Sequence, residues 1–220
     1  CEVTQGDFEI VMGTNPSAFS KGGNQSSKVV GINTTRFPVE WVSWEDAKAF
    51  CERLSGLPEE NMHGREYRLP TEAEWVLAAR YAGQASAAKF AWGSQWPPRE
   101  GFANLADVTA RELVPSILPA YDDGFASTAP VGTFKPNALG LYDAAGNVAE
   151  WCADPPRKNL PPTSNSAKFR VTRGGNWSER RKELLLASYR GDTPMDARSH
   201  GKGFRVVLAL AELEASGEGE

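Results

Sequence analysis

The chain has 220 residues, 40% of them hydrophobic, with 28 acidic residues against 24 basic and a formal net charge of -4. That is enough for one sizeable core, and a second independent domain is not required. The acidic balance argues against a nucleic-acid binder that tracks phosphates, no apolar run approaches the ~18 residues that cross a bilayer, and no charged leader followed by an apolar stretch marks a signal peptide.

Taken in chain order, the first helix starts at Thr4, with Asp7 three residues later and Phe8, Val11 and Met12 on one face before Gly13 stops it. Residues 20–35 are rich in Gly, Ser, Asn and Thr and read as a loop; 37–42 reads as a short strand. Ser43 and Asp46 open a second helix, with Ala47, Phe50, Cys51 and Leu54 at i, i+3, i+4, i+7 and Gly56 as its stop. Pro70 leads into a third start at Thr71 and Glu74, with Ala73, Val76 and Leu77 facing inward. In each Ser/Thr-x-x-acid start the hydroxyl accepts from an early helical N–H, and the acid sits at the positive end of the helix.

From 83 to 131 neither a 3.6 nor a 2 period persists. So long an irregular stretch needs an ordering agent such as a bound cation. Phe169–Arg173 and 203–208 read as strands, and 184–187 as a core strand between them. The tail 211–220 is acidic and lacks aromatic residues, which marks a disordered segment or linker.

Three cysteines, Cys1, Cys51 and Cys152, are too few for a disulfide scaffold or a zinc ribbon. Cys51 on an apolar helix face reads as a buried free thiol. The two histidines, His63 and His200, have no ligand spacing between them, so histidine-held iron or zinc is not expected.

Several strings then point to a family. They include Tyr67-Arg68-Leu69-Pro70-Thr71-Glu72-Ala73-Glu74-Trp75, Gly146-Asn147-Val148-Ala149-Glu150-Trp151, Arg173-Gly174-Gly175-Asn176-Trp177 and Gly203-Phe204-Arg205. In this order the chain resembles the formylglycine-generating-enzyme, or sulfatase-modifying-factor, domain over about residues 1–210. The resemblance implies an α+β, C-type-lectin-like fold: a few short helices around a small twisted antiparallel sheet. Members usually begin with a further hairpin, so the chain reads as part of a longer protein. The motif dialect reads as bacterial.

The resemblance also implies structural calcium. One site would use Asn104, Leu105, Asp123 and Phe125; the other Asp143, Gly146, Val148 and Glu150. Calcium takes six to eight oxygens, carboxylates mixed with carbonyls on a tightly turning backbone, and these strings offer that mixture. The alternative is that the acids only cap turns.

Catalytic members oxidise a substrate cysteine with copper held by two cysteines after RGGxW. Here Glu179 and Leu184 stand at those places, and no cysteine follows Cys152. Thiolates are what a soft cuprous ion needs, so neither copper nor iron is expected. In similar domains the region between RGGxW and GFR is a ligand surface. Here that is 178–202, and the candidate contacts are Trp177, Glu179, Arg180, Arg181, Tyr189, Arg190, Arg198 and His200. Arg and Tyr bring large contact area and forked donors.

Two readings result. One is a calcium-stabilised, non-catalytic module for binding, sensing or scaffolding, with a protein or other ligand as partner. The other is an oxidase with an altered, cysteine-free pocket. Cysteine-free relatives linked to an oxidation step keep that second reading open.

Overall fold

The computed structural model describes residues 1–80, 88–156 and 168–209, so the tail expected at 211–220 lies outside the described residues. Four α-helices lie among them: α1 (Gln5–Met12), α2 (Trp44–Ser55), α3 (Pro58–Met62) and α4 (Glu72–Arg80). The three Ser/Thr-x-x-acid starts form as expected. Thr4 with Asp7 and Ser43 with Asp46 make reciprocal capping boxes. Thr71 Oγ1 accepts from Glu74 N, while the Glu74 carboxylate accepts from Thr71 N. Gly13 ends α1 in the left-handed region at φ 77°, whereas Gly56 follows α2 at φ -81° and stops it without that turn.

α1 and α2 bury the faces their spacing predicts. Phe8, Ala47, Phe50 and Cys51 meet Val3, Val39, Val42, Leu69, Trp151 and Phe204 in the largest core cluster. Phe8, Phe50 and Phe204 pack there ring against ring. α4 differs from expectation. Trp75 and Ala79 are its buried residues, and Leu77 is 62% exposed. The reason is a polar anchor: Trp75 Nε1 donates to the Glu150 carboxylate at 2.8 Å, which turns the helix onto its indole.

The strands are β1 (Glu66–Arg68), β2 (Ala149–Trp151), β3 (Phe169–Arg173), β4 (Gly191–Pro194), β5 (Lys202–Gly203) and β6 (Val207–Ala209). One sheet runs β4-β3-β2-β5, antiparallel except for β2 with β5; β1 and β6 form a separate antiparallel pair. Three expected strands change. Residues 37–42 make only an isolated bridge, Thr4 with Pro38. The 203–208 strand breaks in two because Phe204 enters the core and Arg205 turns to Glu150. Residues 184–187 form no strand. A 3-10 turn, Lys182–Leu184, precedes buried Leu185 and Ala187.

With so few ladders, side chains do much of the long-range tying. Trp44 Nε1 donates to the Cys152 carbonyl at 2.9 Å, and Trp151 Nε1 to the Val42 carbonyl at 3.0 Å. Two indoles thus clasp segments more than a hundred residues apart, in opposite directions. The stretch from 88 to 131 is irregular apart from one 3-10 turn, Thr109–Glu112, and the bridge of Phe90 with Gly93. Buried polar groups order it, and those groups form the first candidate site.

Candidate functional site

Asp107, which the sequence reading missed, is the organiser. Its side chain is fully buried. Oδ1 accepts from Thr109 N at 2.8 Å and from Ala110 N at 3.3 Å, and Oδ2 accepts from Asp123 N. Asp123 is set beside it. Its carboxylate accepts from Leu105 N at 2.8 Å and Phe125 N at 2.9 Å. So it is the N–H of Leu105 that meets Asp123. The Phe125 carbonyl accepts from the Thr109 hydroxyl at 2.7 Å.

Burial pushes the Asp123 carboxyl up to about 7. The neighbouring Asp107 charge adds to that, while the Leu105 and Phe125 N–H groups oppose it. Neither carboxylate has an ion-pair partner among the described residues. Asn104 donates from Nδ2 to the Ser127 carbonyl and Asn147 Oδ1, and its own Oδ1 is buried without a partner. Two carboxylates without an ion-pair partner, and a buried, unpartnered amide oxygen on the residue that precedes Leu105, are oxygen donors of the kind a hard cation takes. Among the described residues no three His, Cys, Asp or Glu side chains converge as a metal-holding group, so a cation here would depend on amide and carbonyl oxygens as well.

The second expected set adjoins the first. Asp143, Gly146 and Asn147 all have positive φ, at 56°, 81° and 54°. A Cβ on Gly146 would come within 2.2 Å of the Asn104 carbonyl oxygen, so that close approach needs glycine. Asn147 joins the two sets. Its N donates to the Asn104 carbonyl, and its side chain bonds Asn104, Ala129 and Glu2.

Glu150, however, is already neutralised. Arg205 forks onto both its oxygens and also donates to the Tyr142 carbonyl. Both residues are buried. With Trp75 on the same carboxylate, Glu150 has little left to offer calcium, so the second set as bonded does not fit the ion. Val148 lies fully buried beside it. Asp143 accepts from Gly132 N at 2.7 Å and keeps an unpartnered buried oxygen, as does Glu2. Burial raises both of these carboxyls, and the nearby Glu150 charge adds to the effect on each.

The eight candidate contact residues separate into those fixed inside the fold and those facing solvent. Trp177 is 4% exposed, packs edge-on against Phe19 and donates from Nε1 to the His200 carbonyl. His200 is wedged between Phe19 and Trp41. Arg190 is 10% exposed and bonds Glu72, Asp192 and the Pro155 carbonyl. Arg198 is exposed yet tied to Asp46 and the Trp41 carbonyl. Glu179 is forked by Arg181 and accepts two backbone N–H groups. Arg180, Arg181 and Tyr189 present themselves to solvent. Among the described residues, hydrogen bonds join Trp177 to His200 and Glu179 to Arg181, but they do not join all eight into one patch.

No thiol approaches this region in sequence. Cys51 and Cys152 sit in different core clusters. Burial pushes the Cys51 thiol up to about 12 and that of Cys152 higher still.

Residues 1–210 match the model of the sulfatase-modifying factor enzyme 1-like domain. A formylglycine-generating enzyme of Thermomonospora curvata is 35% identical over 77% of this chain and 55% of its own length. The chaperone protein LppX of Paenibacillus barcinonensis is 30% identical over 94% of this chain and 77% of its own. An inactive C-alpha-formylglycine-generating enzyme 2 of Bos taurus is 33% identical over 78% of this chain and 50% of its own. Among solved structures, Treponema denticola variable protein 1 superposes with a TM-score of 0.70 and 27% identity, covering 93% of this chain and 81% of that one. The chain spans about half the length of the formylglycine-generating enzymes it matches. No described helix is long and apolar enough to cross a membrane.

Proposed function

The chain belongs to the sulfatase-modifying factor enzyme 1-like domain family, and from that premise we propose that it is a non-catalytic member, a cation-stabilised module that presents the 178–202 region to a protein or other ligand. One observation carries the reading. At the two places where the copper thiolates are expected stand Glu179, locked to Arg181, and Leu184, in a 3-10 turn. A carboxylate already paired and an aliphatic side chain cannot replace two thiolates at a soft metal.

The labels of two relatives, one a chaperone and one an inactive enzyme, agree with a role without turnover, although each describes only its own protein. The uncompensated Asp107–Asp123 pair supports calcium at the first site, with Asn104 as a further donor. Its role there is to neutralise buried charge and order the 88–131 stretch. The unit so ordered runs over 1–210.

The test is metal content by mass spectrometry, with melting temperature recorded with and without chelator. About one calcium per chain and a chelator-dependent fall in melting temperature are expected. Stoichiometric copper, or turnover of a cysteine-containing sulfatase peptide above background, would put the altered-pocket oxidase in its place.

A further inference from the structure

Apart from both donor sets and the 178–202 rim, a cleft of about 700 Å³, lined mostly by polar residues, opens between three segments. α1 contributes Gln5, Gly6 and Glu9; the other walls come from residues 15–22 and 32–35. One buried side chain ties the walls together. Gln5 is 1% exposed. Its Oε1 accepts from Asn15 Nδ2 at 3.1 Å and Thr34 Oγ1 at 2.9 Å, and its Nε2 donates to the Phe19 carbonyl at 3.2 Å. Gly6 lets α1 close on the third wall, since a Cβ there would lie 2.5 Å from Thr35 Cγ2. The cleft is therefore built in advance, and a ligand need not organise it.

Its charges are arranged unusually. Glu9 and Lys21 both line the cleft, and both are exposed. Neither has an ion-pair partner among the described residues, so they also do not pair with each other. Opposite charges that line one cleft without pairing suit a ligand that carries both signs with polar groups between them. The amides and hydroxyls of Ser20, Asn33, Thr34 and Thr35 match peptide N–H and C=O groups. Ile32, 52% exposed, offers an apolar contact for a side chain. Among the described residues, no aromatic ring lines the cleft to stack on a sugar.

We infer that this cleft binds a short peptide with free ends, its amine toward Glu9 and its carboxylate toward Lys21. A peptide of about three residues spans roughly 10 Å when extended. The site is separate from the rim, so loss of one reading leaves the other standing.

The experiment is calorimetric titration of the chain with trialanine, its N-acetylated and C-amidated forms, and maltotriose. Trialanine is expected to bind saturably, and blocking either end to weaken binding at least ~tenfold. Glu9→Gln should erase the penalty of acetylation alone, and Lys21→Met that of amidation alone. Lys48→Ala, exposed on α2 and outside both the cleft and the rim, should leave trialanine binding unchanged. Equal binding of blocked and free peptides, no saturation by about 10 mM, or binding of maltotriose alone would overturn the inference. Should either variant fail to fold, amide shifts of the unaltered chain decide. Movement at Asn33 and Thr34 on adding trialanine upholds the cleft, and their invariance rejects it.

Discussion

Arg205 holds Glu150 by two donors, Nε and Nη2, each on a different carboxylate oxygen, with both side chains inside the protein. Removing one partner leaves the other buried and unpaired, which costs about 3–5 kcal/mol. Arg205→Met should therefore lower unfolding free energy by that order in urea titrations. A loss below about 1 kcal/mol would mean that the pair behaves as if solvated.

Glu40 supplies a pH dependence free of any metal question. It is fully buried; Oε1 accepts from Phe19 N at 2.8 Å, and Oε2 has no partner. Burial pushes its carboxyl from 4.5 up to about 7, against the Phe19 and Ala18 N–H groups. The folded state thus binds this proton more tightly than the unfolded chain does. The contribution is fully present below 4.5 and is lost as pH rises through about 7. Glu40→Gln keeps the acceptor and removes the charge. It should flatten that part of the stability profile and stabilise the protein at pH 8 by up to about 3 kcal/mol. An unchanged profile would place the titration elsewhere.

The thiols should react in two classes. Cys1 is exposed, while Cys51 and Cys152 are buried and poorly ionised. A thiol reagent should modify Cys1 rapidly in the native protein and the other two only on unfolding. Rapid loss of all three native thiols would contradict both buried clusters.

The candidate contacts should divide by stability. Trp177→Ala removes a buried indole and should cost about 3–5 kcal/mol. Arg180→Ala and Arg181→Ala should stay within about 0.5 kcal/mol of the parent chain. A ligand of the rim would lose affinity in the last two with no change in melting temperature. If all three destabilise alike, the exposed arginines are structural too.

What was legible in the sequence was local. Thr4, Ser43 and Thr71 announce their helices because the cap and its acid lie three residues apart. The family strings carried the fold and the placement of the Asn104–Phe125 region. What escaped depends on distant partners. Asp107 earns its place from Asp123 N, 16 residues away, and Glu2 from Asn147 Nδ2, 145 residues away. Leu77 looked inward by spacing alone, until the bond from Trp75 to Glu150 set the helix face. Trp177 looked like rim until its indole met the His200 carbonyl.

The reciprocal indoles of Trp44 and Trp151 bear on how divisible this protein is. Val42 and Cys152 accept across the same seam, so each end of the chain finishes the other's core. Neither end closes this core alone. A single backbone cut in the long irregular stretch between them would leave two fragments still bound to one another, and a gene split there should be able to complement in trans.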